Sequence, residues 1–210
     1  MARFSYFQRL SAADKRIYLR SDALREVGIP DPGSLRPLVV ELEAALEAGK
    51  RVRTAKAANA LIHALCKQLR APPVRVRVRE VRPSWESGEL HGLYTFDQGD
   101  GDPPESTAAR SSEARVRSGA MIEVWMRTAA HKRVVKFRTF LRTLLHEVVH
   151  HLDATIYEMK ESFHTQGFFA RESHLFRQLM GETEAETEAE TDTKPAGEQL
   201  SLFGEPKRKR

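Results

Sequence analysis

A single cysteine, Cys66, occurs in the 210-residue chain, so no disulfide can form within it. Cys66 sits in an apolar stretch with helical spacing and reads as a small buried hydrophobe rather than a nucleophile. No apolar run approaches the roughly 20 residues that span a bilayer, so no membrane partner is expected. Residues 1–10 mix Arg, Ser and Gln with aromatics and lack a signal-peptide core, which makes a cytoplasmic location the expectation. What the chain does have is charge. Its charged fraction is 30% and its hydrophobic fraction 40%, enough apolar material for a modest core and too much for a disordered chain. The charge is uneven. The whole chain carries +5, residues 181–210 carry −3 from five basic and eight acidic side chains, and residues 1–180 carry +8. A basic body with an acidic tail is compatible with nucleic acid nearby.

Apolar spacing predicts helices over residues 11–26, with Ser11 as N-cap, 35–46 and 54–69. The Gly28-Ile29-Pro30-Asp31-Pro32-Gly33-Ser34 stretch separates the first two, and Pro72-Pro73 stops the third. The period then shortens to two. Val74, Val76 and Val78 alternate with Arg75, Arg77 and Arg79, a strand with one basic face. Residues 90–96 and 121–126 are two further strands, separated by a polar segment, 97–119, that reads as a mobile loop. Helices follow over 134–157 and 165–180. The order predicts an α+β domain: N-terminal helices, a three-stranded sheet, a long helix and a C-terminal helix. Residues 181–210, with a Glu/Thr/Ala repeat, read as a disordered acidic tail.

The long helix contains His146-Glu147-Val148-Val149-His150, an H-E-x-x-H pattern. Residues four apart lie one turn apart on the same helix face, so both imidazoles can reach one ion. Zinc suits neutral imidazole, and a catalytic zinc takes three protein ligands and keeps one position open. Glu147, beside the pair, is placed to take a proton from an attacking water. The flanking Leu144, Leu145, Val148, Val149 and Leu152 are apolar, and ionisable side chains rarely enter such a helix without a purpose. The third ligand must come from elsewhere, and His164 and Glu172 are both candidates. Asp153 and Ile156 stand where the elongated metzincin pattern needs Gly and His, so that pattern is absent. His151 points about 100° away from His150 and is read as structural or as support for a ligand. Asp153 is read as a partner for an imidazole N–H. His63, His91, His131 and His174 have no spacing logic and are read as surface or packing residues.

Residues 54–180 resemble the SprT-like (Spartan-like) zinc metalloprotease family. In that family the H-E-x-x-H helix is followed, about a dozen residues on, by a His opening H-G-x-x-F/W. His164 and Phe168 match, whereas Thr165 replaces the Gly. Gly92-Leu93-Tyr94 looks like the family's G-x-Y strand and Ile122-Glu123-Val124 like its next strand. The resemblance implies a small zincin-like fold with the H-E-x-x-H segment on its active-site helix. It also implies His146, His150 and His164 as zinc ligands, Glu147 as general base, and an edge strand that binds an extended protein substrate by strand addition. Glu172 remains the alternative third ligand, in a gluzincin-like site. Residues 1–53 form a separate helical region that the resemblance does not cover.

In the tail, Gln199-Leu200-Ser201-Leu202-Phe203 is an apolar island with no core near it, and such islands usually meet a partner. It resembles the peptide that binds the bacterial DNA polymerase sliding clamp (beta clamp). Lys207-Arg208-Lys209-Arg210 and the stripe Arg75, Arg77, Arg79 and Arg82 are candidate contacts to DNA phosphates, single-stranded DNA included. Together these point to a zinc protease acting on proteins bound or crosslinked to DNA, nucleoid-associated when clamp-bound. Two competing readings are a zinc-stabilised, non-catalytic clamp adaptor and a peptidase with a non-DNA substrate.

Overall fold

The structure is a computed structural model that describes residues 4–85, 88–96 and 119–182. The segment 97–118, the acidic tail from 183 and its 199–203 peptide lie outside the described residues.

Among the described residues, five α-helices and a three-stranded sheet form a mixed α+β fold. Helix α1 (Ala12–Ala23) opens at Ser11, whose hydroxyl accepts the Asp14 N–H at 3.1 Å, the cap anticipated from sequence. A 3-10 turn (Pro32–Leu35) leads into α2 (Arg36–Glu47), which carries proline in its first turn, where a missing N–H costs nothing. Gly49, at φ +64°, turns the chain into α3 (Arg51–Leu69). Strands β1 (Arg75–Val81), β4 (Gly92–Thr95) and β5 (Met121–Arg127) make the sheet in the order β1-β5-β4. β1 runs parallel to β5 and β4 antiparallel to it, with Val78 opposite Val124 and Tyr94 opposite Ile122. Sequence reading missed a small antiparallel ribbon, β2 (Ser84–Trp85) with β3 (Gly88–Glu89), because two-residue strands carry no periodicity. Helices α4 (Phe137–Thr155) and α5 (Gln166–Met180) complete the chain.

Alternation decides what faces what. Val76, Val78, Ile122, Val124 and Met126 point to the inner face and are buried, and α3 and α4 pack over that face. Arg75, Arg77 and Arg79 have the opposite parity and are exposed on the outer face. Arg82 has the inward parity. It is 7% exposed and lies 3.7 Å from Glu89, so it leaves the basic stripe predicted for it. Arg77 and Arg79 each reach Glu123 on β5 at 2.9 Å, which neutralises part of the stripe. The Asn59 side chain accepts the Val76 N–H at 2.9 Å and donates to its carbonyl at 2.7 Å, capping the outer edge of β1. Cys66 is buried among these layers, and burial pushes its thiol up to about 11, as suits a packing residue.

Leu144, Leu145, Val148 and Val149 on α4 are fully buried, each contributing roughly 1.5–3 kcal/mol on removal from water. α4 can be apolar on so much of its surface because β4 and β5 cover one side and α5 another. The N-terminal residues share this core: Val27, Ile29, Leu35, Val39 and Leu42 belong to the same apolar cluster as Phe168 and Leu175 of α5. Among the described residues no helix is long and apolar enough to cross a membrane.

α1 meets α5 closely enough that one position admits only glycine. A Cβ on Gly167 would run into the carbonyl oxygens of Ser21 and Asp22, and its N–H donates to the Asp22 carboxylate at 3.1 Å. Gly167→Ala is therefore expected to cost about 1–3 kcal/mol, since neither backbone can yield without moving a helix. Denaturant unfolding of the variant against the wild type measures this.

Candidate metal centre

His146 and His150 project from one face of α4, and His164 comes from the loop between α4 and α5. The Nε2 atom of His164 lies 2.9 Å from that of His146 and 3.1 Å from that of His150. One nitrogen from each of the three residues falls within 4.8 Å of the others. Among the described residues no fourth ligand joins them. Ligand nitrogens on a tetrahedral zinc, with Zn–N about 2.0–2.1 Å, stand about 3.3 Å apart, so the cluster is already near the required spacing.

The proton inventory also fits a cation. The His146 Nδ1 faces the Glu172 Oε2 at 3.1 Å, and a carboxylate only accepts, so the ring proton sits on Nδ1. The His150 Nδ1 faces the Ser162 hydroxyl at 2.8 Å, and that hydroxyl gives its own proton to Asp153. Both helix rings thus turn bare Nε2 lone pairs inward. One proton on His164 Nε2 can be given to only one of them, whereas a cation between the three rings would meet both. Burial, followed by the neighbouring His146, lowers the pKa of His150 well below its ordinary value and that of His164 to about 3. His150 and His164 are therefore neutral at physiological pH, the form in which an imidazole can bind a metal ion.

Local sequence explains the placement of His164. Thr165 adopts φ −94° and ψ 171°, a conformation open to any L-residue. Its hydroxyl accepts the Phe168 N–H at 2.9 Å, making Thr165 the N-cap of α5. Phe168 packs against all three imidazoles with centroids 4.7–5.0 Å away, and Phe169 stacks on His164. Tyr6, from the N-terminal 3-10 turn (Ser5–Arg9), donates its hydroxyl to the His164 carbonyl at 2.9 Å.

Glu172, the other candidate ligand, meets the far nitrogen of His146 and lies 3.7 Å from Arg142. It orients a ring rather than entering the cluster. Asp153 reaches His150 through Ser162 instead of directly. His151 bridges the Pro72 carbonyl at 2.8 Å and the Tyr94 hydroxyl at 3.1 Å, a structural role. His174 accepts the Val27 N–H at 3.0 Å, and His63 and His131 are exposed. His91 is buried, and burial lowers its pKa to about 4.

Glu147 lies beside the cluster and accepts the backbone N–H of Tyr94 on β4. Gly92 is what lets β4 come so close, because a Cβ there would strike the Glu147 carboxyl. Burial, then the charge of Glu172, push Glu147 up to about 8. β4 is an edge strand of the sheet as described, and the edge turned toward Glu147 is the one not paired with β5. Sequence reasoning missed Ser162, Arg171 and the Tyr94 N–H. The proximity of Ser162 to His164 was the available signal for the first, and the other two depend on tertiary packing.

No family model matches the chain, and no curated protein or solved structure matches it.

Two outcomes follow from this geometry. His164→Ala should abolish stoichiometric zinc binding, whereas Glu172→Gln should keep it with affinity lowered about 10–100-fold, as for a residue that orients a ligand. Metal analysis of both variants after dialysis gives the order, and the reverse order would make Glu172 the ligand. Proton release is the second. At pH 7 the metal-free Glu147, with its pKa near 8, holds its proton, and a cation nearby lowers that pKa. Zinc uptake by the wild type should therefore release about one proton more than uptake by Glu147→Gln. Calorimetry in buffers of different ionisation enthalpy reads the difference.

Proposed function

We propose that the chain is a SprT-like zinc metalloprotease that acts on proteins bound or crosslinked to DNA and is recruited by the replication sliding clamp. The observation that carries this reading is the convergence of three imidazoles beside a buried carboxyl and a strand edge with no further strand partner among the described residues. Three protein ligands suit a catalytic zinc, whereas a structural site closes with four. Among the described residues three such ligands converge and no fourth joins them, which favours an enzyme over a non-catalytic clamp adaptor.

His146, His150 and His164 would hold the ion, which supplies Lewis acidity toward a scissile carbonyl. The outward edge of β4 offers backbone groups to an extended peptide, and strand addition there sets the peptide alongside Glu147. Glu147 takes the proton of the attacking water and returns it to the leaving amine. Its enclosure by α4 and β4 keeps that proton from bulk solvent. Arg75, Arg77 and Arg79 form an exposed basic stripe on the outer sheet face, suited to phosphates. The Gln199–Phe203 peptide would supply clamp recruitment, through a linker whose composition is polar and acidic.

The test is cleavage of a DNA-crosslinked protein with and without single-stranded DNA and the sliding clamp. Zinc-loaded wild type should cleave when DNA is present, and the clamp should accelerate it. Glu147→Gln should retain zinc and lose at least about 100-fold in rate, the usual scale for removing a general base. Phe203→Ala should lose only the acceleration by the clamp. Full activity in Glu147→Gln would sink the mechanism, and cleavage indifferent to DNA would point to a peptidase with another substrate.

A further inference from the structure

Behind His150 a buried polar chain runs away from the cluster toward the N-terminal helix. Ser162 donates its hydroxyl proton to Asp153 Oδ2 at 2.7 Å, and its oxygen faces His150 Nδ1 at 2.8 Å. Asp153 Oδ1 accepts from Arg171 Nη2 at 2.7 Å, and both side chains are 0% exposed. Arg171 Nη1 donates to the Ser21 carbonyl at 2.8 Å and the Leu24 carbonyl at 2.6 Å, at the C-terminal end of α1. Its Nη2 also reaches the Ser21 hydroxyl at 3.2 Å.

A serine hydroxyl has one proton and two lone pairs. With Arg171 fixing Asp153 as an acceptor, the Ser162 proton is committed to Asp153. The oxygen can then only accept from His150, and only the Nδ1–H form of the ring can give. Nε2 is left bare, and it is the nitrogen turned toward His164.

We propose that Ser162, locked by Asp153 and Arg171, is a positioning residue that holds His150 in its ligating tautomer, and that the lock is anchored on α1. His146 has a different support, the Glu172 carboxylate, so the two helix histidines are held by unlike groups. Asp153 lies three residues beyond His150 on the same helix, and Ser162, from the following loop, bridges them. The region before residue 54, which the family resemblance leaves out, thereby acquires a role at the centre: two of its backbone carbonyls orient the arginine at the far end of the chain. This inference rests on the metal centre of the proposed function and not on the nature of its substrate.

The experiment uses the full chain in wild-type, Ser162→Ala and Ser162→Thr forms. Long-range proton–nitrogen correlation spectra of the metal-free proteins read the tautomer of His150. Competition with a chromophoric chelator reads zinc affinity, and thermal unfolding without metal reports whether each variant is folded. The wild type should show His150 protonated on Nδ1. Ser162→Ala should populate the Nε2–H form and bind zinc about 10–100-fold more weakly, the scale for support of a ligating imidazole. Ser162→Thr keeps the hydroxyl and should restore both. A wild-type His150 protonated on Nε2 overturns the proposal, and that spectrum decides even if Ser162→Ala does not fold. Undiminished zinc affinity in folded Ser162→Ala overturns it too, as does weakened affinity with the tautomer unchanged. A wild type that takes up no zinc, yet shows the Nδ1–H form switched by Ser162→Ala, overturns the metal centre while supporting the lock.

Discussion

The fold is organised by the need to satisfy the polar side chains that α4 carries into the core. His146, Glu147, His151 and Asp153 are all buried on one helix, where water is not available to serve them. Three elements meet these four groups. α5 supplies Glu172 to His146 and Arg171 to Asp153, β4 supplies a backbone N–H to Glu147, and the lead into β1 supplies a carbonyl to His151. The positions of α5, β4 and the α4–α5 loop are therefore tied to the same helix that would ligate the metal. Apolar burial supplies the bulk of the driving force, and these polar contacts select one arrangement among the many that would bury equal area.

The Arg171–Asp153 pair shows how demanding this arrangement is. Burial pushes the Asp153 carboxyl up, while Arg171 and the Ser162 hydroxyl pull it down. Two fully buried charges hold together best when the remaining donors are also served, and Arg171 spends Nη1 on the carbonyls of Ser21 and Leu24, while its Nε is buried with no hydrogen-bond partner among the described residues. The tight passage at Gly167 serves the same end, because only a bare backbone there lets α1 come near enough to offer those carbonyls.

Much of this was legible in the sequence. The helices and the three sheet strands follow from apolar period, and the His146/His150 pair follows from helical spacing alone. The count of eight histidines says little, but spacing separates His146 and His150 from His63, His131 and His174, which the structure places elsewhere. His164 was one of two open candidates on spacing, and the choice needed the structure: Glu172 on α5 projects toward Nδ1 of His146, the opposite side of the ring. Arg82 was misplaced because a stripe was drawn through it without counting parity. Ser162 was passed over because nothing in its identity distinguishes it; its role exists only once Asp153 and His150 are brought to either side of it. The ribbon β2–β3 is too short to leave a pattern. The 199–203 peptide lies outside the described residues, so its reading still rests on the composition around it.

The cost of the α4 polar stripe is itself an argument about purpose. Replacing a buried ion pair by apolar residues of similar volume is commonly neutral or stabilising by about 1–4 kcal/mol, so a helix needed only for packing gains nothing from Asp153 and Arg171. Glu147 is costly in the same way, because burial drives it toward its protonated form. What these groups do in concert is orient: the carboxylate at His146 and the hydroxyl at His150 both accept a hydrogen bond from the outer nitrogen, holding the proton there and turning the inner lone pair toward the cluster. Two independent supports producing the same ring state, aimed at the same point, are what a cation site requires and what a packed core does not. That convergence, together with a strand edge beside Glu147 that has no further strand partner among the described residues, is what supports the proposal of a metalloenzyme over a scaffold braced by histidines.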